Sequence, residues 1–421
     1  MRNQPQLIAY VDRFSGGGFR EFQSLLQGPL KGAFGGVHLL PFFYPIDGAD
    51  AGFDPIDHTK VDPRLGAWED VRALGEHVEI MADLIVNHIS SRSPQFLDYD
   101  KRGDASPFAG MFLTYTSVFG DGAREADLLQ LYRPRPGLPF TNYQLRHGEQ
   151  RLLWTTFTGE QIDIDVHHIE GKRYLETILN RFHASGIRAI RLDAVGYAIK
   201  KAGTSGFMIP ETFEFIAELT SQAHTLGIEV LVEIHSHYLE QIEIAKQVDW
   251  VFDFALPPLV LHTLYTRNAR QLKRWFEIRP PNAVTVLDTH DGIGVLDVGA
   301  DRKGGNLPGL LTPEEIDQLV HHLGQAGRPA VQVLDPGEAE EVVGHVDEAL
   351  ALALEAPDAL QGAALALRLR VGEVLAEQLQ VEAERAEVVL DLVDETAGQL
   401  GEGGIVVAGH GCLRARSCAY V

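Results

Sequence analysis

The chain has 421 residues, a formal net charge of −23, 45% apolar and 23% charged residues, which suits one large globular domain or two to three ordinary ones. Such acidity argues against nucleic acid and anionic membranes as partners, and no run of about 18 apolar residues is present to span a bilayer. Met1-Arg2-Asn3-Gln4-Pro5 lacks the apolar centre of a secretory signal, and the two cysteines, Cys412 and Cys418, make no disulfide framework, so a cytoplasmic location is expected.

Gln6–Tyr10 reads as a short apolar strand. Gly16-Gly17-Gly18 follows, but without a Gly-Lys-Ser/Thr it is a turn before helix Phe19–Leu26 rather than a phosphate loop. A strand over Gly36–Phe43 leads into a loop rich in Asp and Gly, Asp47–Pro55. Helix Ala67–Glu76 and strand Val78–Val86 come next, the strand ending at Asn87-His88. Strand, helix, strand, helix, strand argues parallel pairing with right-handed crossovers.

From His88 to about Asp165 the alternation stops in favour of aromatics, Pro and Gly, which predicts a subdomain inserted after the third strand. Alternation resumes with helix Ile169–Ser185, strand Ile187–Asp193, helix Pro210–Leu226 and strand Glu229–Ile234. Helix Leu239–Val248, strand Trp250–Ala255, a helical stretch to Phe276 and strand Ala283–Leu287 complete the series. Seven strands alternating with helices predict a (β/α)8 TIM barrel, incomplete at strand 8, whose site lies at the strand C-terminal ends. A doubly wound sheet would show a nucleotide signature after the first strand, and none is present. Thr312-Pro313-Glu314-Glu315 has the pattern of a capping box and starts a helix to about Leu323.

From Gly324 onward the composition changes. Tyr420 is the only aromatic, Lys, Asn, Phe, Trp and Met are absent, and 17 acidic residues face 6 basic ones. Helix propensity is high, yet nothing large is available to fill a core. Pro329–Leu334 and Gly404–Ala408 are the candidate strands of this tail. Two readings stand: a helical appendage, or loss of the native reading frame near Leu323, which the other frames of the encoding DNA would test.

Four strand ends carry the chemistry-bearing residues. Asp83 and Asn87-His88 belong to the third strand. Ala189, Arg191 and Asp193 share one face of the fourth, while Ile190 and Leu192 take the other. Leu231, Glu233 and His235 share a face of the fifth, and Asp288-Thr289-His290-Asp291 ends the seventh. A single carboxylate there would be an ordinary ion pair. Several carboxylates with two His and an Arg at one barrel mouth instead supply acid and base chemistry. Two carboxylates on facing strands are what retaining glycoside chemistry needs, one as nucleophile and one as proton shuttle, about 5 Å apart. Spacing alone leaves Asp288 and Asp291 as equal candidates for the third.

The segments Asp83–His88, Arg191–Asp193, Glu233 and His290-Asp291 resemble the four signature regions of the α-amylase superfamily. Within it the similarity is closest to the sucrose phosphorylase family, carried by Asp47–His58, Tyr132–Phe140, Arg191–Tyr197 and Asn282–Gly294. It covers roughly the first three quarters of the chain. The resemblance implies a catalytic barrel over 1–87 and 168–291, subdomain B over 88–167, the start of a second insertion over 292–323, and an unmatched tail over 324–421.

The resemblance also implies roles. Asp193 would be the nucleophile, Glu233 the general acid and then base, and Asp291 the transition-state stabiliser. Asp50, His88, Arg191 and His290 would hold glucosyl hydroxyls and the nucleophile, with Phe53 and Phe157 as apolar walls. Gln161 would make a polar contact at the acceptor side, and Tyr132, Pro134 and Arg135 would line the acceptor subsite, where fructose leaves and phosphate enters; His235 would be a further substrate-binding residue. Sucrose, phosphate, fructose and glucose 1-phosphate are the implied partners, with no metal or organic cofactor. Asn87 stands at a calcium-ligand position of many relatives, but no calcium is expected. A homodimer is left open.

His58 and Asp83 read as structural. The family's eighth strand, its second acceptor loop and a C-terminal β-domain are not recognisable after Leu323. The first and seventh strands are therefore expected to be unpaired edges, and the chain poorly folded or inactive. The alternatives are a related glycosidase, a glucoside phosphorylase with another acceptor, or an inactive remnant.

Overall fold

The computed structural model describes residues 1–120, 122–134, 137–286, 293–300, 307–325 and 406–409. Seven short parallel strands succeed one another: β1 (Gln6–Ala9), β2 (Gly36–Leu39), β3 (Glu79–Ile85), β4 (Ala189–Asp193), β5 (Glu229–Val232), β6 (Trp250–Asp253) and β7 (Ala283–Thr285). Each pairs with its neighbours in sequence, in the order β7-β6-β5-β4-β3-β2-β1. An eighth strand, β8 (Val406–Gly409), lies parallel to β1, with Gln6 opposite Val406 and Ala9 opposite Gly409. This is the strand order of a (β/α)8 barrel.

The expectation that β1 is a free edge is corrected, because β8 hydrogen-bonds to it. The candidate strand Gly404–Ala408 thus falls within one residue or two of an observed one. Pro329–Leu334 and the rest of the predicted helical tail lie outside the described residues. Among the described residues β7 and β8 do not pair.

The crossovers are helical: α1 (Phe19–Gln27), α2 (Trp68–Gly75), α3 (Ile169–Ala184), α4 (Pro210–Thr225), α5 (Tyr238–Ile244), α6 (Leu256–Thr266) and α7 (Arg270–Ile278). The long helical stretch expected before β7 is two helices, since Arg267 takes a left-handed φ of 55° and ends α6. The strand expected over Gly36–Phe43 also breaks, at Pro41, which has no N–H to give a ladder. Beyond it Phe43–Tyr44 pairs antiparallel with Asp57–Val61. Helix α8 (Pro313–Gln325) begins with the expected capping box: Thr312 Oγ1 accepts from Glu315 N at 3.2 Å, and Thr312 N donates to Glu315 Oε2 at 2.9 Å.

Strand alternation divides the interior in two. Ala82, Leu84, Ile190, Leu192, Val230 and Val232 pack outward against the helices, with Phe22, Leu74, Ile178, Phe182 and Leu219. Ile8, Met81, Ile85, Ala189, Leu231, Phe252 and Val284 form a second, inner cluster. The polar side chains of Asp83, Arg191 and Asp193 share the inner face with these residues. Between β3 and α3 the chain leaves the sheet. His88–Ser90 pairs with Gln161–Asp163, and Phe140–Gln144 with Gln150–Trp154, both antiparallel. Among the described residues no helix is long and apolar enough to cross a membrane.

The return from this excursion depends on Gly171 in the first turn of α3. A Cβ there would run into the carbonyl oxygen of Asp165, which is backbone and cannot swing away. Gly171→Ala is expected to lower stability by about 1–3 kcal/mol, read as a fall in urea midpoint; an unchanged midpoint would contradict the close approach.

Candidate active site

The site grows from Arg191 on β4. Its side chain is 1% exposed, and so charged a group cannot remain there without partners. Nη1 donates to Asp83 Oδ1 at 2.6 Å. Nη2 meets Asp193 Oδ1 at 3.3 Å and also bonds Glu233 Oε2. One guanidinium therefore ties the inner faces of β3, β4 and the end of β5.

Because Asp193 and Glu233 touch the same nitrogen, their nearest oxygens lie no further apart than two hydrogen bonds end to end, about 6 Å. That is compatible with the spacing of a retaining pair, about 5 Å. Asp193 is 14% exposed in its side chain and Glu233 9%, so both retain an opening.

Asp83 is fully buried. Burial pushes its pKa up, but the charges of His38 and Arg191 outweigh that and hold it well below the usual carboxylate range. His38 Nε2 lies 3.0 Å from Asp83 Oδ1, and His58 Nε2 3.1 Å from the Asp83 carbonyl. Both Asp83 and His58 are thus structural, as expected, although His58 meets the backbone rather than a carboxylate. Burial depresses His58 to about 4, so its imidazole is neutral.

Asp50, His88 and Gln161 form a second group. Gln161 Nε2 donates to Asp50 Oδ2 at 2.7 Å and stands 3.1 Å from His88 Nε2. His88 Nε2 is 3.0 Å from the Phe53 carbonyl, and its Nδ1 is 3.4 Å from Asn87 Nδ2. Asn87 Oδ1 already accepts from Lys200, so its NH2 faces Nδ1. His88 then carries its proton on Nε2 and gives it to Phe53. Burial keeps His88 below the ordinary imidazole value, against the pull of Asp163, Asp50 and Asp54.

Phe53 lies under the Arg191 guanidinium, 5.3 Å from centroid to Cζ. Phe157 packs on His88 at 5.4 Å and on Tyr197 at 5.2 Å. Tyr132 stacks on Phe207 at 4.4 Å and approaches Tyr197 at 6.0 Å. Such rings give a sugar an apolar face. Pro134 lies two residues beyond Tyr132, partly buried. His235 stacks on Phe254, with centroids 4.0 Å apart. Asp291, His290, Asp288 and Arg135 lie outside the described residues.

Sequence reasoning missed three contributors. Lys200 is buried; its ammonium bonds Asn87 Oδ1 at 2.9 Å, pairs with Asp163 at 2.8 Å and reaches the Tyr197 carbonyl. Burial lowers its pKa, opposed by Asp163. A cation of the chain itself thus occupies the polar face of Asn87. His38 and Asp297 are the others. Each is a lone polar residue in an apolar run, and only its distant partners mark it.

The catalytic domain of the Alpha-amylase family (Alpha amylase, catalytic domain) matches residues 32–244, just over half of the chain, and the chain belongs to that family. Within it, the chain is 63% identical over 323 residues to a sucrose phosphorylase of Agrobacterium vitis, covering 77% of this chain and 66% of that protein. It is 52% identical over 321 residues to the sucrose phosphorylase of Bifidobacterium adolescentis, covering 76% and 64%. The crystal structure of sucrose 6F-phosphate phosphorylase from Thermoanaerobacter thermosaccharolyticum superposes with a TM-score of 0.71 at 36% identity, over 78% of this chain and 65% of that one. The chain spans just under two thirds of the length of these relatives.

The neutral state of His58 has a measurable consequence. Between pH 6.5 and about 4 the unfolded chain holds a proton on this residue that the folded chain does not. Stability therefore rises with pH across that window and is lost as pH falls through it, by up to about 3 kcal/mol. Urea unfolding at both ends of the window should show a smaller acid loss for His58→Gln than for the wild type; equal losses would mean that His58 is not the buried neutral group described.

Proposed function

We propose that this chain carries the site of a sucrose phosphorylase and moves a glucosyl unit from sucrose to phosphate with retention at the anomeric carbon. The observation that carries the reading is the sharing of Arg191 by Asp193 and Glu233. It holds the two carboxylates at retaining distance, and the cation beside Asp193 favours the ionised, nucleophilic form of that residue. The similarity to named sucrose phosphorylases supports the choice of donor.

In the first half-reaction an Asp193 oxygen bonds to C1 of the glucosyl unit. The C1–O bond to fructose breaks, and Glu233 gives its proton to the departing oxygen. In the second half a phosphate oxygen bonds to C1, the ester to Asp193 breaks, and Glu233 takes up the phosphate proton. Two inversions return the α configuration of glucose 1-phosphate. Asp291 stabilises the oxocarbenium-like transition state in this reading, with His290, His88, Asp50 and Arg191 on the sugar hydroxyls. Tyr132, Pro134, Arg135, Gln161 and His235 line the acceptor side. Arg135 is suited to phosphate because its planar fork matches two oxygens. A cytoplasmic location and the division into barrel, subdomain B and tail belong to the same proposal.

The 421-residue chain incubated with sucrose should release fructose and α-glucose 1-phosphate only when phosphate is present. Hydrolysis indifferent to phosphate would favour a glycosidase, and transfer to another acceptor alone a different glucoside phosphorylase. A chain without a cooperative melt by circular dichroism would be a remnant. Glu233→Gln should lower the rate by about 10²–10⁴-fold, and Arg135→Ala should raise KM for phosphate more than KM for sucrose. Equal effects of Arg135→Ala on the two would remove Arg135 from the phosphate subsite.

A further inference from the structure

Asp297 lies in the single 3-10 turn Leu296–Val298, well beyond β7, and is fully buried. Three groups from the end of β5 and from α5 converge on it. Oδ1 accepts from the backbone N–H of Ser236 at 3.1 Å and from Gln241 Nε2 at 2.6 Å. Oδ2 faces His235 Nδ1 at 3.4 Å. His235 is two residues past Glu233 and is held flat on Phe254, with an interplanar angle of 18°. The phenol of Tyr132 is pushed up by burial and then by the charges of Asp297 and Glu240.

We propose that Asp297 is a positioning residue: it fixes the ring of His235 and holds a proton on Nδ1, so that Nε2 is the ring atom offered to the acceptor. The argument is one of hydrogen-bond capacity. An ionised carboxylate only accepts. Both donors on the far side, Ser236 N–H and the Gln241 amide, claim Oδ1. Oδ2 then takes the Nδ1 proton of His235, and the second ring nitrogen is set by the first.

The same pattern makes Asp297→Asn informative. Its amide must keep oxygen at the Oδ1 position, where two donors point, which turns NH2 toward His235. That NH2 donates to Nδ1, and the imidazole proton moves to Nε2. The fold keeps two of its three bonds while the tautomer inverts. An Asp-to-Asn change beside a catalytic imidazole has this effect in the serine protease triad.

The test has a spectroscopic arm and a kinetic arm. Long-range proton–nitrogen NMR of the full chain, labelled at histidine, is recorded at about pH 8.5, two units above an ordinary imidazole. The His235 signals are assigned by their loss in His235→Gln. Protonated Nδ1 in the wild type and protonated Nε2 in Asp297→Asn are expected; an Nε2–H tautomer in the wild type, or no change in the variant, overturns the proposal. Should the variant fail to fold, the wild-type tautomer still decides.

The kinetic arm alone rests on the phosphorylase reading. There Asp297→Asn should lower kcat/KM for phosphate about tenfold while changing turnover of sucrose by water less than about twofold. Parallel loss of both would mark a merely structural residue. A wild type without glucosyl transfer would remove the phosphorylase reading and leave the tautomer to settle Asp297.

Discussion

A guanidinium buried where three carboxylates meet is the constraint on which the site rests. Arg191 is shut away from solvent, and its charge is met by Asp83, Asp193 and Glu233. Removing one partner of such a set costs about 3–5 kcal/mol, because the remaining charge stays buried. The same arrangement that makes the site expensive also makes it stiff. β3, β4 and the end of β5 are locked at their inner faces by one side chain. Asp193 and Glu233 are held at a separation compatible with a retaining pair.

Around that centre the chain builds support in layers. His38 and His58 hold Asp83 from behind. Lys200 holds Asn87 and Asp163, and Asn87 sets the tautomer of His88. Gln161 donates to Asp50 and stands beside His88. Each support comes from a different strand or loop, so the pocket's rigidity depends on the sheet that gathers those elements. The pairing of β8 with β1 extends that sheet to eight strands, where seven with two open edges are what the sequence alone suggests.

Alternation made much of this legible. Apolar Ile190 and Leu192 between Ala189, Arg191 and Asp193 specify which side chains face inward, and the same two-residue period places Leu231 and Glu233 together. The capping box at Thr312 is local and was equally plain. What period and local chemistry cannot carry is a contact between residues far apart in sequence. Asp297 is 62 residues from His235, and Lys200 is 113 from Asn87, and neither has neighbours that announce it. Helix breaks were missed where a single backbone conformation decides them, as at Arg267. The choice between Asp288 and Asp291 came from resemblance rather than from spacing.

The central claim is that Asp193 becomes covalently glucosylated while Glu233 manages the proton. The most direct measurement is peptide mapping by mass spectrometry of Glu233→Gln, mixed with an α-glucosyl donor bearing a good leaving group and quenched in acid. The account predicts one added glucosyl unit on the peptide containing Asp193, lost when Asp193 is also changed to Asn. An unmodified Asp193 peptide under turnover, or a glucosyl unit on another carboxylate, would contradict it.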